Sequence, residues 1–79
     1  MTNTVLLENL IKKSGLKLTF IAEQLGISRH GLYKKIKGLA QFTGPEIKIM
    51  CRLLGLKTWA KIEPVFFADE VDENVHATA

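Results

Sequence analysis

The sequence predicts an all-α domain of five short helices. Three observations point to it. Apolar residues recur at three- and four-residue spacing, and glycines close the runs at Gly15, Gly26, Gly38 and Gly55. The links between the runs are short, as in compact helical domains. Residues 18–38 carry Ala22, Gly26, Ile27, Ser28 and Leu32 at the spacing of a helix-turn-helix.

Asn3 or Thr4 caps a first helix over about 4–14, with Leu6, Leu7, Leu10 and Ile11 at helical spacing. Gly15 ends it, and Leu16 plugs the corner. The second helix runs about 18–25. Two helices crossing steeply over a short turn need a small residue where they touch, and Ala22 supplies it. Gly26 can take the left-handed conformation that ends the helix abruptly. Ile27 plugs the turn, and Ser28 caps a third helix over about 28–37. Ile21 and Leu25 point inward from the second helix, and Leu32 and Ile36 from the third. Gly31 inside that helix costs ~1 kcal/mol relative to alanine. It either allows close approach of the helix backbone to a base pair or is a tolerated imperfection. Gly38 stops the third helix. Phe42 anchors the loop that follows. Thr43-Gly-Pro-Glu46 reads as a capping box with proline in the first turn. It opens a fourth helix with Ile47, Met50, Cys51 and Leu54 on one face and Leu53 beside them. Gly55 closes it. Thr58 caps a short fifth helix containing Trp59 and Ile62, which Pro64 halts or kinks. Residues 65–71 have strand-forming side chains and no cap, so an extended or β arm is expected there, with a frayed end over 72–79.

Seventy-nine residues make one domain with a modest core. No apolar run approaches the ~20 residues of a membrane span, and the N-terminus lacks the pattern of a signal peptide. Cys51 is the single cysteine, which excludes a disulfide framework and reads as an inert core residue. A soluble protein of a reducing compartment is expected. The net charge of +3 hides an asymmetry. Residues 1–61 hold all eleven Lys and Arg against Glu8, Glu23 and Glu46, a charge of +8; residues 62–79 hold five acids and no Lys or Arg, a charge of −5. A basic body suits a polyanion. The expected division is a helix-turn-helix domain over 1–68 and an acidic, flexible tail over 69–79.

The outward face of the third helix reads Arg29, His30, Tyr33, Lys34 and Lys37, which suits a surface laid against nucleic acid. Arginine bidentate to guanine is the commonest specific contact. His30 is a donor or acceptor toward a base or phosphate, or a plain surface histidine. It has no metal-ligand pattern near it. Tyr33 either reaches a phosphate or thymine methyl, or packs over the loop after Gly38. Lys35 points to solvent. Trp59, Phe66 and Phe67 are a large apolar load beyond the four-helix core. Some of them pack inward, and at least one meets a second copy of the chain. Enzyme chemistry is not expected: there is no phosphate-cradling glycine loop, no Cys–His pair at plausible reach and no carboxylate cluster in the basic body. No catalytic residue, metal ligand or cofactor is therefore expected.

At this point the residues resemble a known family. Ile21-Ala-Glu-x-Leu-Gly-Ile-Ser28, Leu32-Tyr-x-Lys-Ile36 and Val65-Phe-Phe-Ala68 are similar to segments of the small Cro/repressor-type helix-turn-helix proteins of bacteriophages and their bacterial relatives. The resemblance covers about residues 4–68. It implies a lambda-repressor-like five-helix bundle. The second helix would lie across the DNA backbone and the third would enter the major groove. The molecule would act as a homodimer on a pseudo-palindromic operator in double-stranded DNA. Arg29, His30 and Lys34 fall at base-reading positions. Ser28, Tyr33 and Lys37 fall where phosphate or groove-edge contacts are usual. Two departures stand out. The family's usual glutamine at the start of the second helix, a phosphate clamp, is Leu18 here, so Thr19 or Lys17 would have to replace it. A usually apolar position is Lys35, which moves the core contact to Ile36.

The expected function is that of a sequence-specific transcriptional regulator, a Cro or short phage repressor in the cytoplasm of a bacterial host. It would block polymerase or an opposing repressor by steric exclusion. The alternative is a protein-binding module, an antirepressor or antitoxin, that uses the same fold to hold a partner protein.

Overall fold

The computed structural model describes residues 2–68. The acidic segment expected as a flexible tail, and the part of the expected arm beyond Ala68, lie outside them. Five helices follow one another: α1 (Thr4–Ser14), α2 (Leu18–Leu25), α3 (Arg29–Ile36), α4 (Gly44–Leu54) and α5 (Trp59–Phe66). The described residues contain no strand.

Each start has a local chemical cause. At α1 the Asn3 Oδ1 accepts from the Leu6 N–H at 3.1 Å. At α3 the Ser28 Oγ accepts from the Gly31 N–H at 2.9 Å. At α4 the Thr43 Oγ1 accepts from the Glu46 N–H while the Thr43 N–H donates to Glu46 Oε1 at 2.8 Å, a complete capping box. The turn between α2 and α3 follows from Gly26, whose φ of 72° lies in the left-handed region. That conformation directs the Ile27 N–H to the Ala22 carbonyl at 3.1 Å and closes α2.

α2 packs on α3 and α4, and α1 packs on α3, α4 and α5. Leu7, Ile21, Leu32, Met50 and Val65 are the largest wholly buried side chains, one from each helix. Ala22 is buried at the α2 crossing, and Phe42, Cys51 and Leu56 complete the core. Leu25 and Ile27 are partly buried against it.

Three expectations need correction. The helix does not stop at Pro64. α5 continues to Phe66, and the Phe67 N–H still donates to the Glu63 carbonyl at 2.8 Å. Val65 and Phe66 are therefore helical rather than part of an extended arm. Burial of both, worth ~1.5–3 kcal/mol each, offsets the ~3 kcal/mol that an internal proline costs. Thr58 does stand at the N-cap of α5, though its side chain makes no capping hydrogen bond. Lys35 does not point to solvent. It forms an ion pair with Glu46, the acid of the α4 capping box, and joins α3 to α4. Burial pushes the Glu46 carboxyl up, but the Lys35 ammonium and the Thr43 N–H and hydroxyl together outweigh it and hold the carboxyl below its ordinary range.

Candidate nucleic-acid interface

α3 has one buried edge, formed by Leu32 and Ile36, and one open face. Arg29, His30, Tyr33, Lys34 and Lys37 are all exposed on it. The open face follows from the 3.6-residue period: with 32 and 36 turned into the core, 29, 30, 33, 34 and 37 are left outside. Ser28 stands at the helix start and is exposed, but its Oγ is engaged by the Gly31 N–H. Gly31 sits against that cap. A Cβ there would lie 3.2 Å from the Ser28 Oγ, a tight contact that the hydroxyl would have to relieve by a few tenths of an ångström.

The cations of this face divide into two kinds. Arg29 and Lys34 form no ion pair among the described residues. Lys37 is engaged: its ammonium lies 2.6 Å from Glu8 Oε1 of α1, and 5.6 Å from the centre of the Tyr33 ring. The hydrogen bond to Glu8, reinforced by that carboxylate's charge, raises the Lys37 pKa above its ordinary value. Tyr33 is half-exposed and lines a groove with residues of α1 and the start of α2.

Leu18 and Tyr33 form a ridge shared by two adjoining grooves. One, of about 440 Å³, is floored by Ile11, Leu16 and Ile36 and edged by Glu8, Lys12 and Lys37. The other, of about 410 Å³, is bounded by Leu18, Arg29, His30 and Tyr33. Leu18, which stands in place of a polar clamp, is thus a partly buried wall between α2 and α3. Lys17 and Thr19 flank it and are exposed, and the Lys17 side chain makes no capping bond to α2. Glu8 and Lys12 belong to the same surface. Their i, i+4 spacing on α1 was visible in the sequence, but their place beside α3 was not.

The residues expected at a dimer contact separate. Phe66 is only 3% exposed and meets the Phe42 ring edge-on at 5.6 Å, so it belongs to the core and is not available to a partner. Trp59 is 54% exposed, stacks against Phe67 at 5.1 Å and donates from Nε1 to Glu63 Oε2 at 2.9 Å. Phe67 is partly buried behind it.

Among the described residues no helix is long and apolar enough to cross a membrane, and no group of three metal-ligating side chains occurs. In comparison with known proteins, the chain matches no family model, no curated protein and no solved structure.

Proposed function

We propose that the chain is a sequence-specific DNA-binding transcriptional regulator of the Cro or short-repressor kind, with a lambda-repressor-like fold, that inserts α3 into the major groove. The observation that carries this reading is the open face of α3. A short helix directly after a tight turn presents Arg29, His30 and Lys34 outward, and Arg29 and Lys34 form no ion pair among the described residues. Arg29 and Lys34 read base edges, with Arg29 bidentate to guanine. His30 adds a shorter donor or acceptor. Lys17, Thr19, Ser28 and Tyr33 flank these positions and serve the phosphates. Lys37 joins them only by leaving Glu8. The functional unit is a homodimer whose two α3 helices meet half-sites ~34 Å apart, and Trp59 with Phe67 is the partner-facing aromatic pair.

The test is selection of duplex sites from a random pool, followed by mobility-shift titration with Arg29→Ala and Lys34→Ala. Each substitution is expected to cost ~1–3 kcal/mol at the selected site. Arg29→Ala should also relax the preference at one base pair. If affinity and preference stay unchanged, the assignment of α3 as the reading helix is wrong. A chain that ignores DNA at low salt and co-elutes with one protein would support the antirepressor or antitoxin reading.

A further inference from the structure

The described chain carries all eleven Lys and Arg against four acids, a charge of +7, whereas residues 69–79 carry Asp69, Glu70, Asp72 and Glu73 and no Lys or Arg. The point at which α5 ends is fixed relative to α1. The Asn3 N–H donates to the Val65 carbonyl at 2.7 Å, so the last turn of α5 lies at the start of α1. From Asn3 to Lys12 is nine residues of helix, ~14 Å at 1.5 Å per residue. Residues 69–73 span up to ~17 Å when extended. The acidic run is therefore long enough to follow α1 to Lys12 and the groove beside it.

The chemistry of that groove matches the run. Its floor is apolar, from Ile11, Leu16 and Ile36, and its rim carries Lys12 and Lys37 together with Glu8, the carboxylate that holds Lys37. The run offers four carboxylates and one apolar side chain, Val71, in its middle. Opposite charges at the rim and an apolar floor are the two features by which such a segment is held. The groove adjoins the one bounded by Arg29 and His30 across Leu18 and Tyr33.

We propose that residues 69–73 dock in the groove between α1 and α3, with one carboxylate on Lys12, another taking the place of Glu8 on Lys37, and Val71 on the apolar floor. Docked there, the segment lies beside the open face of α3. If that face binds DNA, as proposed above, the segment competes with phosphate and lowers affinity most for non-specific sites, whose binding is largely electrostatic.

Two full-length variants test this. One is D69N/E70Q/D72N/E73Q. The other is V71S, which keeps every charge. The first readout needs no DNA: backbone amide chemical shifts of the native chain and both variants, at low and high salt. Docking expects the differences to gather at Lys12, Leu16, Leu18 and Lys37 in both variants, and high salt to carry the native spectrum toward that of the charge-neutral variant. Differences confined to residues 67–79 overturn the proposal. The second readout is affinity for random-sequence duplex. The charge-neutral variant should bind roughly tenfold or more tightly at low salt, with the gain fading as salt screens the contact, and V71S should show a smaller gain in the same direction. A gain in the charge-neutral variant with none in V71S indicates a diffuse charge effect and also overturns docking. Groove shifts in both variants without DNA binding by any form leave docking supported and remove the DNA-binding reading instead.

Discussion

Arg29 and Lys37 lie on one face of α3 and do different things. Arg29 has no ion pair among the described residues, whereas Lys37 is held by Glu8. In the proposed DNA complex, a phosphate must displace that carboxylate before Lys37 neutralises it. Glu8→Gln is therefore expected to raise DNA affinity and to steepen the fall of log affinity with log salt by about one contact. Salt-dependent fluorescence anisotropy measures this, and an unchanged slope would show that Lys37 stays off the backbone. Lys35 lies at the other extreme. Its pair with Glu46 is structural, and the Glu46 carboxyl is held below its ordinary pKa. A depressed folded-state pKa contributes stability that is present above the unfolded pKa and is lost as pH falls through the folded value. The native chain should thus lose melting temperature on acidification below the ordinary glutamate range more steeply than Glu46→Gln. Parallel curves would contradict the pairing. Cys51 lies apart from this charge chemistry, and burial raises its thiol pKa, as suits an unreactive core position.

At the scale of elements, the turn between α2 and α3 sets where the open face points. Gly26 has φ 72° and open space around a would-be Cβ, so the cost of substitution there is purely conformational. Gly26→Ala is expected to destabilise the fold by ~1–2 kcal/mol. Urea unfolding checks this, and a neutral result would mean that the turn tolerates another path. Much of this level was legible in the sequence because its causes are local. Asn3, Ser28 and Thr43 act within three residues of themselves, and the glycine after a helix acts within its own turn. What was not legible depends on contacts remote in sequence. Lys35 meets an acid eleven residues away and Lys37 one twenty-nine away, and neither pairing leaves a mark on local periodicity. Pro64 misled for the same reason. Its local penalty is real, but Val65 and Phe66 enter a core whose shape only the assembled helices define. At the candidate site, the α3 face was legible from its period, while the groove walls from Glu8, Lys12 and Leu18 required the packing of α1 against α3.

For the molecule as a whole, a reader of two half-sites needs two copies of α3. Trp59 is the large exposed aromatic beside the core of α5, and its stacking on Phe67 leaves much of it exposed. If the chain forms the dimer proposed above, Trp59→Ala is expected to shift it to monomer in sedimentation at micromolar concentration and to cost little in the stability of the monomer. An unchanged dimer would move the partner surface elsewhere. The most direct test of the central claim joins these scales in one titration. The chain and its Arg29→Ala variant are titrated against a duplex selected from a random pool, beside a scrambled duplex of equal length, at about 50 and 200 mM salt. The expected result is a two-fold-related selected site, bound more tightly than the scrambled duplex, with Arg29→Ala losing ~1–3 kcal/mol at that site and far less on the scrambled one. Equal affinity for both duplexes, or an Arg29→Ala variant that discriminates as well as the native chain, would contradict it.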